Sequence, residues 1–389
     1  MSASSVVLFD ELPTAGHKKV AIATLNRPEV LNGLSLAMCE KLDRQLRHWE
    51  LDNSIALVIL NASGNRAFCA GGDLHSLYHS IRENVSGRPW DNDYAREFFA
   101  KEYRLDYLIH TYSKPVLCWG NGIIMGGGVG LMMGASHRVV TETTRYAMPE
   151  IKIGIFPDVG GSWMLSRLPE GVGMFLALTG AQLGASDCRH LGLADYFLRS
   201  DGFDAMLAAI QARSWSGERP EDDIRLHQTL QDLRDDIPLA SGPLQANQGL
   251  INEYCRGPDF EAICNNVAQW AEHEDEWLAT AAKTFIEGSP GSARLGYTLQ
   301  KMASVLSLAD VFRLEYVVAL QCVSMGDFKE GVRALLVDKD KQPAWNPATI
   351  AGASHEWVQR FFVAPWPEGS SHPLADLGKG RLWSLPEYL

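Results

Sequence analysis

The sequence predicts an α/β fold whose C-terminal region is mostly helical. Apolar runs of strand length alternate with helical patterns through the first half of the chain, helical stretches broken by Gly/Pro turns follow after about residue 200, and two glycine-rich strings each succeed an apolar run. The strand-length runs are VAIATL at 20–25, IALVIL at 55–60, VLCW at 116–119 and HRVV at 137–140. Between the first two, Ser35 suits a helix N-cap, and Leu36, Cys39, Leu42, Leu46 and Trp49 follow on one stripe at helical spacing. Strand and helix alternate, so crossover βαβ units are expected.

Beyond residue 200 the turns fall at 217–220, 241–243, 257–258 and 289–291, and Ala309, Phe312, Tyr316 and Leu320 keep helical spacing, followed by Phe328 and Val332. The expected organisation is a catalytic core over 1–200, a mostly helical region over 201–350 and an irregular tail over 351–389. With 46% hydrophobic and 21% charged residues among 389, the chain is long enough for one large core plus an appended domain.

Composition narrows the partners. A formal net charge of -12 argues against a phosphate-backbone binder, so no nucleic-acid partner is expected. Seven scattered cysteines without a C-x-x-C pair indicate neither a disulfide framework nor a zinc ribbon, and fit a reducing compartment. No apolar run approaches a membrane span, and the first twenty residues show neither a signal pattern nor an Arg-rich transit pattern. A cytoplasmic location is expected, ahead of the mitochondrial matrix.

The chemistry concentrates in two strings. In FCAGGD at 68–73, Gly71 and Gly72 can bring main-chain N–H groups close to a ligand because no Cβ intervenes, although a plain glycine turn reads the same way. In GIIMGGGVGL at 122–131, glycines open an apolar helical run, and amides at a helix N-terminus stabilise an anion or a developing oxyanion. A dinucleotide loop fails because the sixth position from Gly126 is Leu131, and from Gly128 it is Met133; a phosphate loop fails for want of its Lys-Ser/Thr. Downstream, Glu150 and Asp158 lie in MPE and FPDVGG among Tyr146, Met148, Ile151, Ile153, Ile155 and Phe156, surroundings that raise a carboxyl pKa toward that of a general base. Two carboxylates eight residues apart on a Pro/Gly-rich segment could equally be solvated loop charges. No G-x-S-x-G elbow or H-E-x-x-H spacing occurs, and Cys69 has no partnered His, so packing is its simpler role.

Together, FCAGGD, GIIMGGGVGL and MPE resemble the crotonase (enoyl-CoA hydratase/isomerase) superfamily, whose members hold an acyl-CoA thioester carbonyl between two backbone amides. FAKEYRL at 99–105, MPEIKIGIFPDVGG at 148–161, FLALTG at 175–180 and DFKEGVRALLVDKDKQPAW at 327–345 are similar, more narrowly, to its 3-hydroxyisobutyryl-CoA hydrolase family. The resemblance spans about 20–350, less clearly at about 200–285, and implies a crotonase-like spiral of βαβ units. It makes Gly72 and Gly127 the oxyanion-hole donors, Glu150 and Asp158 the catalytic carboxylates and Glu102 a substrate-site residue. It implies an acyl-CoA substrate, no metal, and no cofactor beyond the coenzyme A of the substrate. A homo-oligomer, trimeric or hexameric, is also implied unless the helical half covers that surface. Hydratases of the superfamily carry a glutamate two residues after the glycine triplet; here that position is Gly130, which moves the expected reaction from hydration to hydrolysis, the alternatives being a hydratase or isomerase with Glu150 as sole base and a non-catalytic CoA-ligand-binding protein.

Overall fold

The computed structural model describes residues 5–234 and 239–379. Nine strands are present among them: β1 (Val7–Pro13), β2 (Lys19–Leu25), β3 (Ile55–Ala62), β4 (Ala67–Cys69), β5 (Val116–Gly120), β6 (Ile123–Met125), β7 (His137–Val140), β8 (Arg145–Ala147) and β9 (Tyr196–Phe197). They form a six-stranded sheet of order β1-β2-β3-β5-β7-β9 and a three-stranded sheet of order β4-β6-β8. Every pairing is parallel except β1 with β2, which runs from Val7 opposite Leu25 to Pro13 opposite Lys19. Each of three successive turns sends one strand to the large sheet and the next to the small one: β3 then β4, β5 then β6, β7 then β8. This is the expected spiral.

The four anticipated strands sit in the middle of the large sheet, where both faces are covered and a parallel strand reads as a continuous apolar run. One face packs on the main core. Val20, Leu57, Ile59, Leu117, Trp119 and Val139 on the other are covered by Met206, Ile210, Leu226 and Leu230, from the helices Phe203–Gln211 and Arg219–Asp232. Ser35 caps the helix Leu36–Leu51, its side chain accepting from the Met38 N–H. Met38 joins Cys39, Leu42, Leu46 and Trp49 on its buried side, while Leu36 is only half-buried.

The helical region after 200 shares its interior with the first half, since one cluster of buried side chains runs from Val7 to Leu377. The expected boundary at 200 therefore does not separate two cores. Residues 351–379 also depart from the expected irregular tail: they contain the helix His355–Gln359, and Val358, Phe361 and Leu374 are fully buried. Arg104 ties the segment down, donating to the Pro373 carbonyl and to both Asp376 carboxylate oxygens, each at 2.6–2.7 Å. Residues 380–389 of that tail, and 235–238 of the helical region, lie outside the described residues.

Candidate active site

The small sheet sets out the site. Gly72 lies three residues past the end of β4, Gly127 two past β6 and Glu150 three past β8, so three side-by-side parallel strands deliver them to one edge. This is the carboxyl end of the strands, where parallel sheets present their ligand sites. Gly126, at φ 49, turns the chain from β6 into the helix Gly127–Met133. Gly127 opens that helix, and its N–H has no intrahelical partner. The Gly72 nitrogen lies 3.6 Å from the point a Cβ of residue 127 would occupy.

Glu102 comes from the helix Asp93–His110 and is 2% exposed. Its Oε1 would be 2.5 Å from a methyl group at 127 and 3.9 Å from one at 72, so the carboxyl occupies the space beside Gly127 and borders both amides. Glu150 begins the 3-10 turn Glu150–Lys152 and is 4% exposed. Its Oε1 lies 3.2 Å from the position of a Cβ on Gly126, and its buried Oε2 has no hydrogen-bond partner. Asp158, 8% exposed, accepts a 2.7 Å hydrogen bond from the Tyr103 hydroxyl.

The turn after Asp158 is strained. Val159 has φ 52, a left-handed conformation that a β-branched side chain adopts at a cost of about 1–3 kcal/mol. Glu315, from the helix Leu308–Met325, braces it: its carboxyl accepts from the Gly160 N–H at 2.7 Å and the Ser162 N–H at 3.0 Å.

Four carboxyls are thus buried at one site. Burial pushes Glu150 well above the usual carboxylate range, helped by repulsion from Asp158 and Glu315. Burial, then repulsion from Asp158, Asp106 and Glu150, does the same to Glu102. Burial raises Asp158 only to about 6, because the Tyr103 hydroxyl favours its charged form. Burial takes Glu315 to about 8 against the pull of the two N–H donors. Charge is therefore held most cheaply on Asp158, while Glu150 keeps the high basicity and the free oxygen of a base or nucleophile.

The structure brings Gly72, Gly127, Glu102 and Glu150 into direct proximity and couples Asp158 to the two glutamates through charge. Cys69 is buried and its thiol is pushed up to about 12, an inert packing residue rather than a nucleophile. Three contributors escaped sequence reasoning: Tyr103, Asp106 and Glu315. Tyr103 stands inside FAKEYRL beside Glu102, and the available signal for Glu315 was an acid between Phe312 and Tyr316 on a buried stripe.

Residues 20–362 match the enoyl-CoA hydratase/isomerase family. The mitochondrial 3-hydroxyisobutyryl-CoA hydrolase of Danio rerio is 36% identical over 361 residues, covering 92% of this chain and 90% of the relative. A crystal structure of an enoyl-CoA hydratase from Rhodobacter sphaeroides superposes with TM-score 0.78 at 32% identity, covering 92% of this chain and 97% of that one. A carnitinyl-CoA dehydratase from Mycobacterium thermoresistibile gives 0.79 at 33% identity, covering 94% and 100%. A spiral of two parallel-stranded sheets with glycine amides and buried carboxyls at one edge, matched along nearly the whole chain, makes this protein a member of the enoyl-CoA hydratase/isomerase family.

Proposed function

We propose that this chain is an acyl-CoA thioester hydrolase acting on 3-hydroxyisobutyryl-CoA or a close short-chain 3-hydroxyacyl-CoA, as in valine-type catabolism. Its relatives' names support the substrate. The observation that carries the reaction is the pairing of an unpartnered, buried Glu150 oxygen with a position 130 that has no side chain, leaving no second glutamate there for water addition.

In this reading the thioester carbonyl oxygen accepts from the Gly72 and Gly127 N–H groups, which stabilise the negative charge it gains when the carbonyl carbon is attacked. One such donor is worth about 3 kcal/mol in the transition state. Glu150 attacks that carbon, expelling coenzyme A thiolate and leaving a mixed anhydride that water then cleaves, or it removes a proton from water as the water attacks. Asp158, held by Tyr103, orients the water or the substrate 3-hydroxyl and transfers a proton; Glu102 lines the acyl site. No cofactor is required beyond the coenzyme A of the substrate. We assign the protein to the cytoplasm, with no membrane or nucleic-acid partner and a homo-oligomeric assembly. The cysteines, all unpaired and buried, suit a reducing compartment, and the vertebrate relatives are named as mitochondrial enzymes.

The solved relatives titled hydratase and dehydratase favour a second reading, double-bond hydration or isomerisation with Glu150 as sole base. A panel of short acyl-CoAs assayed for free thiol separates the two. Thiol release from 3-hydroxyacyl-CoA is expected; an absorbance change from enoyl addition without thiol release would overturn the hydrolase assignment.

A further inference from the structure

The helix Asp93–His110 carries another carboxyl one turn beyond Glu102. Asp106 is fully buried, and neither of its carboxyl oxygens has a hydrogen-bond partner. It meets Gly130 as Glu102 meets Gly127: a methyl group at 130 would lie 2.7 Å from Asp106 Oδ2, 2.9 Å from its Cγ and 2.8 Å from the Val159 Cβ. Two acids four apart on one helix thus mesh with two glycines three apart on the other, each pair one turn along its helix. The second rung of this seam touches the strained turn that carries Asp158.

The hydrolytic steps above make no use of Asp106. Its surroundings nevertheless dictate its charge. Repulsion acts on it from Asp158 and from Glu315 of the helix Leu308–Met325, and it acts in turn on Glu102 of its own helix, on Cys39 of the helix Leu36–Leu51 and on Cys69 of β4. Tyr103, also on its own helix, is committed to Asp158, and the helix Gly127–Met133 contains no titratable residue. All the named groups are acids or neutral, and burial together with Asp158 pushes Asp106 well above the usual carboxylate range. Neighbouring buried carboxyls do not ionise together, so a proton kept on one leaves the charge to the other.

We propose that Asp106 is a positioning residue of the hydrolytic site, a carboxylic acid that holds its proton behind Gly130 and Val159 so that the charge falls on Asp158, and whose deprotonation closes the working range at alkaline pH. The kinetic half of this inference rests on the hydrolase reading; the titration half does not.

Asp106→Asn keeps the shape and removes the proton, and it is compared with the native protein in two measurements. In the kcat profile for coenzyme A release, the alkaline limb is expected to move up by at least about one pH unit, and a limb that stays in place overturns the proposal. The second measurement is thermal melting from about pH 4 to pH 9 without substrate. An unfolded Asp ionises near about 3.9, whereas the folded one holds its proton far longer, so the stability due to this group is full below that value and is lost as pH rises toward the folded pKa. The melting advantage of the Asn variant must therefore grow with pH. A constant difference overturns the proposal, and native protein that releases no thiol sinks the hydrolase reading while melting still decides Asp106. Should the Asn variant not fold, Asp106→Ser takes its place in the same two measurements.

Discussion

Truncating Glu315 tests whether the site depends on a strained turn held from outside. Glu315→Ala leaves the Gly160 and Ser162 N–H groups buried without their acceptor. At about 1–3 kcal/mol for each unsatisfied donor, the loss of stability is about 2–6 kcal/mol. With the brace gone, the strain at Val159 is free to relax, and Asp158 swings away from the Tyr103 hydroxyl. Misplacement of a reacting group by about 1 Å costs up to about 100-fold, so a fall in kcat of about 10- to 100-fold is expected. Glu315→Gln retains one carbonyl oxygen but turns an NH2 toward the other amide, and should recover about half of the stability loss. The assays are urea denaturation and steady-state thiol release on the two variants. An Ala variant with the native midpoint would refute the bracing argument. A lowered midpoint with native kcat would refute the link from the turn to Asp158.

Glu150→Gln keeps the volume and removes the base or nucleophile, so kcat for thiol release should fall at least about 100-fold, and near-native turnover would remove Glu150 from the mechanism. Asp158→Asn should erase an acid limb near pH 6 in kcat; because the folded Asp158 is raised to about 6, the native protein loses stability as pH climbs through that value, and the Asn variant should gain in relative melting temperature over the same window. Equal, small kinetic losses on substrates with and without a 3-hydroxyl would leave Asp158 a structural residue of its turn. Hydration of crotonyl-CoA should run far below thioester hydrolysis, since Gly130 offers water no side chain; comparable rates would show that one glutamate suffices. Gly130→Ala forces a methyl against Asp106 and Val159 and should cost about 1–3 kcal/mol of overpacking, read by melting, with a native midpoint as the contrary result.

The strands β2, β3, β5 and β7 were legible because parallel strands covered on both faces appear as unbroken apolar runs. The three strands that actually position the site, β4, β6 and β8, are three residues each and too short to show any period. β1 carries two adjacent acids, Asp10 and Glu11, ends at Pro13 and lies at the sheet edge, where a proline is tolerated but a sequence reading takes it for a loop. The tail was missed for a different reason: Arg104 holds Pro373 and Asp376 across some 270 residues, a tertiary contact with no local pattern. The glycines and the acids of MPE and FPDVGG stand out in the sequence, whereas Asp106 and Glu315 are acids in helices, which resemble solvated faces until their apolar neighbours are seen to be buried on all sides.

The small sheet works as a ruler. Its strands stand about 4.8 Å apart, so the spacing of Gly72, Gly127 and Glu150 across the edge is graduated by the hydrogen-bond ladder rather than by the loops that carry them. One residue inserted within β4, β6 or β8 would slide its site group by about 3.3 Å and invert its facing, whereas the segments joining the strands can change in length while the graduations stay fixed. The 46 residues between β4 and β5 in sequence hold the helix that brings Glu102, Tyr103 and Asp106 against the ruler. New substrate chemistry in this architecture can therefore be written into that helix by substitution, with the amides and Glu150 left where the ladder holds them.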